Sequence, residues 1–312
     1  MKGTIIGLII LIIIGIGLFV PISSTNIASN NSNDNNNNLE NPIAITYGET
    51  TFNNNNYKTV VDDYFKHNGR INLENANQTV ITAYDVNKIS RDISQRTYNE
   101  NQILSCAMVD LSNNNDITVD VDQSTITTVT AQMYKSALSS SGITKGHVVV
   151  TSPTTATGES ALAGVMKSYE TATGTPIPEE LKNAANKEIY TQSEILEDTN
   201  ASKEDVEKLI NQTKEEVAKK NTTDQQTIIT IINNIASNNN INLTQNNVNN
   251  LADSIGQTQS VQDQAASYQN QISQYVNSPK AQSIFDQIMS YIQSFINGNS
   301  ININNNVNTT KN

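Results

Sequence analysis

Apolar residues arrive along this chain first as one block, then in alternation, then at intervals of three and four. The block runs from Ile5 to Val20, sixteen residues without a charge, and the Asn-rich stretch Asn26 to Asn41 follows it. A helix continued to Ile22 rises about 27 Å, close to the span of a thin hydrocarbon layer. No A-x-A site comes after it, the nearest substitutes being Ser23-Ser24-Thr25 and Ala28-Ser29. The block therefore predicts a transmembrane anchor, with a cleaved secretory signal as the alternative. Lys2 and the amino terminus stay cytoplasmic and the body faces outward in either case.

Ile43 to Thr51 predicts a strand closed by a turn. In YKTVVDDYFKH the apolar positions Tyr57, Val60, Val61, Tyr64 and Phe65 carry helical spacing, and Asn68-Gly69 ends that helix as a left-handed cap. Thr79 to Tyr84, Gln102 to Leu111 and Asp116 to Thr128 are β-branched and apolar, which predicts strands. Ser112 to Asn115 between the last two has the composition of a hairpin loop. In DITVDVD, Ile117, Val119 and Val121 alternate with polar residues, so one face is buried and the other wet. Met133, Tyr134, Ala137 and Leu138 make a helical stripe ended by Ser141-Gly142; His147 to Val150 is a short buried strand. A polar loop, Thr151 to Thr157, then leads into a helix with Leu162, Val165, Met166 and Tyr169 on one side, stopped at Thr173-Gly174.

Beyond Pro176 the spacing is helical throughout. Pro178 suits a first turn, Ser202 with Asp205 is a capping box, and Thr223 with Gln226 repeats the device. Thr244 opens the next helix, with Leu243 placed to staple against Val248 and Gly256 as its stop. After the polar link Gln257 to Ser260, a helix runs from Val261 to Val276, and Ser278-Pro279 opens a last one with a wide apolar face, Ile284 to Ile296. The fold class expected is α+β: a mixed α/β domain over residues 43–175, then an all-helical region over 176–297. Residues 1–22 form the anchor or signal segment ahead of it, 23–42 an Asn-rich linker and 298–312 a disordered tail.

Composition changes the picture in four places. The net charge is −11 and the basic residues nowhere cluster, which argues against a nucleic-acid partner. Cys106 is the one cysteine, so there is no disulfide framework, and in ILSCAMV it suits a buried strand position. Asn is abundant on both sides of the segment from Asp116 to Lys182 and absent within it, marking the stretch whose packing tolerates least. Seven N-x-S/T sequons, at Asn30, Asn77, Asn200, Asn211, Asn221, Asn242 and Asn308, permit glycosylation.

Candidate chemistry is confined to one loop. Ser152, Thr154, Thr155, Thr157, Gly158 and Ser160 lie between a strand and a helix, where open α/β sheets bind ligands and helix N-termini offer free N–H groups. The same hydroxyls also suit ordinary helix capping. Neither a Walker loop nor a nucleophile elbow is present, because Gly158-Glu159-Ser160 lacks the second glycine. Asp116, Asp120 and Asp122 lack the glycine and terminal Glu of a calcium loop. His67 and His147 with Cys106 make no zinc set, so neither metal nor cofactor is expected.

One stretch resembles a known family. TTVTAQMYKSALSSSGITKGHVVVTSPTTATGESALAGVMKSYETATG places Thr130, Met133-Tyr134, Ala137-Leu138, Gly142-Ile143, Pro153, Gly158, Ala161-Leu162, Gly164, Lys167 and Tyr169-Glu170 in the pattern of domain-of-unknown-function family 1002. INLTQNNVNNLADSI, Ile241 to Ile255, is similar to that family's C-terminal helix. The chain departs from the pattern at Thr151, Ser152 and Thr154, where the family tends to carry alanines and an aromatic. The resemblance implies export in Gram-positive bacteria and some archaea, and it implies no activity, cofactor or catalytic residue.

Together these features suggest a membrane-anchored extracytoplasmic protein that binds or scaffolds an envelope component. Two alternatives stand beside it. One is an envelope hydrolase using Glu159 or Ser160 in the 151–160 loop; the other is an assembly protein that self-associates through its C-terminal helices.

Overall fold

The computed structural model describes residues 42–276, apart from 92, 95, 113 and 114. The anchor, the tail, the Ile284 to Ile296 face and the sequons Asn30 and Asn308 lie outside the described residues. Five strands form one sheet: β1 (Ile43–Gly48), β2 (Asn77–Ile81), β3 (Cys106–Asp110), β4 (Thr118–Val121) and β5 (His147–Thr151), in the order β2-β1-β3-β5-β4. β1 runs parallel to β2 and β4 parallel to β5, while β3 pairs antiparallel with β1 and β5. The sheet is thus four parallel strands with one reversed strand at the centre. Each parallel pair needs a crossover. Helix α1 (Asn55–Asn68) lies between β1 and β2, and a second helix, α2 (Ala83–Ser90), follows β2. Helix α3 (Ala131–Ser140) lies between β4 and β5.

Strand alternation divides the sheet's two faces. Ile43, Ile45, Tyr47, Cys106, Met108 and Val149 pack with Val61 and Phe65 of α1. Ala44, Ala107, Val109, Val148 and Val150 face the other way, toward α3 and α4 (Glu159–Thr173). Helix α4 comes close because its contact residues are small. A Cβ built on Gly164 would sit 3.7 Å from Thr46 and 3.8 Å from Ala107. Ser168 bonds Thr46 at 2.7 Å, and Thr46 bonds Thr79 of β2 at 2.8 Å, a short polar seam inside the apolar layer.

The helical half follows as α5 (Glu179–Asp198), α6 (Lys203–Lys220), α7 (Gln225–Asn238), α8 (Gln245–Ser260) and α9 (Gln262–Val276). Their stripes join the same core: Val150, Leu162, Leu181, Leu209, Ile232, Leu251 and Ile272 belong to one continuous cluster. No described helix is long and apolar enough to cross a membrane.

The expected mixed α/β region followed by helices is what the chain forms; several local expectations need correction. Ser112 to Asn115 is not a hairpin loop, because β3 and β4 are not neighbours. β5 lies between them: Val148, Val149 and Val150 are all buried, so this strand needs a partner on each side. β4, with Thr118 and Asp120 exposed, takes the edge. The strands expected over 79–84, 102–111 and 116–128 are shorter, Ala83 and Tyr84 already belonging to α2 and Glu100–Gln102 forming a single 3₁₀ turn. Gly69 has φ −73° and the left-handed residue is Arg70; glycine is needed at 69 because a Cβ would lie 2.5 Å from the Phe65 carbonyl oxygen. Pro178 is the N-cap of α5, one residue earlier than expected. Gly256 does not stop α8, which continues to Ser260 with Gly256 beneath Ile228.

Capping divides the same way. Ser202–Asp205 forms the expected box, and Thr244 with Asn247 forms another. For α7 the cap is Asp224, whose carboxylate accepts from Thr227 N at 2.8 Å, and not Thr223. Asp224→Ala is expected to cost about 1 kcal/mol in urea unfolding, and Thr223→Ala less than about 0.5 kcal/mol. Asp110 supplies a pH test. Burial pushes its carboxyl up, against the bonds from Ser112 and the charge of His147. A raised acid penalises the folded state when ionised, in full above the folded-state pKa, and the penalty vanishes as pH falls below the unfolded value. Asp110→Asn keeps an acceptor for Ser112 and is expected to stabilise at pH 7, the gain disappearing on acidification in a pH series of unfolding curves.

Candidate functional site

The 151–160 loop is built by stitching to the segment before α3. Thr127 N and Val129 N donate to the carbonyls of Ala156 and Thr157 at 2.9 and 3.1 Å, and Ala156 N donates back to Thr125 at 2.9 Å. This leaves Thr154, Thr155 and Thr157 exposed, Ser160 half-buried, and Ser152 and Gly158 buried. The six residues therefore do not converge on one surface. No Ser or Thr side chain caps α4. Its N-cap is Gly158, at φ 109°, where a Cβ would lie 2.7 Å from Ile126 and 2.9 Å from the Tyr134 hydroxyl. The Tyr134 hydroxyl donates to the Gly158 carbonyl, and Thr157 donates to the carboxylate of Glu159. Ser152 is buried with its hydroxyl unpaired.

Glu159 is 1 % exposed and sits in the first turn of α4, where the helix dipole favours its charge. Arg96 bonds it at 2.8 Å and, with its other nitrogen, reaches Glu197 at the end of α5 at 2.6 Å. Burial opposes the Arg96 charge, but the two carboxylates outweigh it and hold the guanidinium above its ordinary range. So Glu159 is engaged as one end of a bridge between α4 and α5. Cys106 is buried in β3, burial pushing its thiol up to about 12, far from a reactive thiolate. Asp116, Asp120 and Asp122 pair separately, with Lys145, His147 and Thr151, each at 2.8–2.9 Å. Among the described residues no group of three or more His, Cys, Asp or Glu could hold a metal.

A cleft lies elsewhere. About 390 Å³ opens between α3, α6, α8 and α9. Beside it Glu188 of α5, 2 % exposed, accepts from Ser136 at 2.6 Å and Ser140 at 2.9 Å. Lys214 of α6 closes the network, 3.1 and 3.2 Å from the two carboxylate oxygens and 2.9 and 2.6 Å from the two serine hydroxyls. The wall beside it is formed where Gly142, at φ 78°, meets the backbone of Ala265; a Cβ there would lie 2.1 Å from the Ala265 oxygen. Sequence reasoning missed Arg96, Glu188 and Lys214. The signal available for Glu188 was its helical position: it precedes Ile189 and lies four residues after Ala184, both buried, so it belongs on or beside an inward face.

Removing one member of a buried ion pair costs more than removing both. Lys214→Met is expected to lower stability by about 3 kcal/mol, leaving Glu188 buried and uncompensated. Glu188→Met/Lys214→Met should recover most of that loss, measured by chemical denaturation of the single and double variants.

Comparison with known proteins places the chain without assigning it a reaction. It is 34 % identical over 127 residues to the "Uncharacterized protein YpuA" of Bacillus subtilis (strain 168), a match covering 40 % of this chain and 43 % of that protein. The aligned part is thus less than half the length of the relative. No solved structure matches. A family described as "Protein of unknown function (DUF1002)" matches residues 47–275, from the end of β1 to the end of α9. The chain belongs to this DUF1002 family.

Proposed function

We propose that this protein is held at a membrane by its N-terminal apolar helix and acts outside it, binding or scaffolding an envelope component. The observation that carries the binding role is the cleft between α3, α6, α8 and α9, beside which Glu188 and Lys214 are saturated by each other and by serines, and whose lining offers amide and hydroxyl side chains next to an apolar patch, with Lys135 and Glu215 at its edge. Such a surface suits recognition. The acid of the 151–160 loop supports the same reading: Glu159 is tied to Arg96 and so is poorly placed to move a proton. The support for location is the uncharged run from Ile5 to Val20 and the Asn-rich spacer after it.

Fractionation tests location directly. A C-terminally tagged copy is expected in the membrane or secreted fraction and to be digested by protease added to intact cells whose outer surface is exposed. Retention in the cytosol, with digestion only after lysis, overturns the proposal. Ser160→Ala and the near-isosteric Glu159→Gln test the binding role against the hydrolase: loss of wall-polymer hydrolysis by variants that still fold cooperatively would establish an enzyme instead.

A further inference from the structure

We infer that the cleft between α3, α6, α8 and α9 takes an uncharged sugar bearing an acetamido group. This deepens the proposed binding role and rests on it. The first argument is charge. The Lys214 ammonium is enclosed by Ser136, Ser140 and both oxygens of Glu188, so neither ion has capacity left for a ligand of opposite sign. On the rim Glu215 is paired with Lys219 at 2.7 Å. Lys135 contributes one positive charge, exposed at the edge. A strongly charged ligand would find little to balance it.

The second argument is the set of groups left open. Gln132, Ser139, Asn211 and Gln269 line the cleft, and their side chains make no hydrogen bond within the described protein. Each amide offers a donor and an acceptor, and a hydroxyl offers both. A ligand that satisfies them must itself mix donors and acceptors without charge, as sugar hydroxyls and an amide do. Ala218, Ile255 and Ala265 supply an apolar patch in the same cleft, against which a methyl group can pack. Thr258, 6 % exposed, adjoins that patch with its hydroxyl unpaired. A rotamer change that swings its hydroxyl into the cleft would give the unpaired group a partner in an occupant. An acetamido substituent brings a methyl, a carbonyl and an N–H within one small unit, matching patch and polar neighbours together.

The third argument is shape. A cleft of about 390 Å³ falls within the about 300–1,000 Å³ usual for small-molecule sites. The close backbone contact between Gly142 and Ala265 walls one side. A compact ring is of a size to occupy such a space.

The test uses the full chain in a sugar-free detergent, titrated with the disaccharide of N-acetylglucosamine, with cellobiose and with a neutral tripeptide, followed by ligand-observed NMR and calorimetry. The acetamido disaccharide is expected to bind, with cellobiose weaker by about tenfold or more, the worth of the lost amide bonds. Thr258→Val, which keeps shape, and Asn211→Leu, at an exposed position, should each weaken binding by about tenfold with no fall in the unfolding midpoint. Absence of acetamido-sugar binding, equal binding of cellobiose, preference for the peptide, or unchanged binding by both variants overturns the inference. Co-sedimentation with isolated cell wall separates the two levels. Wall binding that survives both substitutions sinks the cleft assignment and leaves the wider binding role standing; no wall or envelope binding by the parent chain sinks both.

Discussion

Close approach of α4 to the sheet organises this molecule. The helix lies against β1 and β3 through Gly164 and Ser168, facing Thr46, Ala107 and Ala44, so little side-chain volume separates the two backbones. A layer that thin needs polar atoms paired within it, and the Ser168–Thr46–Thr79 chain of hydroxyls meets that need while joining α4 to two strands. On its far side α4 offers Leu162, Met166 and Tyr169 to the cluster that contains Leu181, Ala185 and Ile189 of α5. Helix α5 in turn carries the packing of α6 and α8. The helical half is therefore seated on the sheet by way of one helix, and the cleft exists because α5 holds α3, α6 and α8 around it.

Two buried carboxylates fix that arrangement laterally. Apolar contact between helices is tolerant of sliding, whereas an ionised Glu at 1–2 % exposure is acceptable in one place only, where its partners wait. Glu159 meets Arg96 and Thr157; Glu188 meets Lys214, Ser136 and Ser140. In both cases the cation comes from a different element and hydroxyls fill the remaining lone pairs. The first pair sets the N-terminus of α4 against the C-terminal end of α5, through Glu197. The second sets α3 and α6 against the middle of α5. The net gain in stability from such pairs is small, but a shift of one helical turn would leave a charge without a partner.

Periodicity carried most of the helices: Met133, Tyr134, Ala137 and Leu138, or Val206, Leu209 and Ile210, are buried as their spacing requires. The Asn-free stretch from Asp116 to Lys182 holds β4, α3, β5 and α4, the centre of the packing. What failed was information held between elements. Thr222-Thr223-Asp224 offers three capping residues in succession, and choosing among them depends on where the last turn of α6 releases the chain at Asn221, φ 48°. The hairpin expected at Ser112 to Asn115 rested on adjacency in sequence, while the sheet order answers to burial, which sends Val148 to Val150 to an inner position. Gly256 and the polar run after it have the composition of a break, yet Thr258 and Gly256 both lie on the packed side of α8. Arg96 was invisible for a related reason: an isolated charge in a loop has the same local pattern whether solvent or a partner receives it, and for Glu188 the one signal was its inward helical position. The loop of Ser152 to Ser160 drew attention by composition, and its hydroxyls turn out to be distributed between surface and interior.

The polar groups that remain are mostly neutral, and that has a consequence for recognition. Ionic contacts at a surface weaken as salt rises, with a screening length of about 8 Å at physiological strength. Hydrogen bonds from amides and hydroxyls lose far less. A protein working beyond the membrane, as proposed, meets an ionic strength the cell does not set, and a cleft whose buried ion pair is already satisfied internally holds its affinity across that range. The same logic accounts for the bulk composition, with 16 % charged residues and an abundance of Asn, Gln, Ser and Thr. Beside a net charge of −11, much of the solvated surface is supplied by groups that neither attract counterions nor repel one another, as in the cleft.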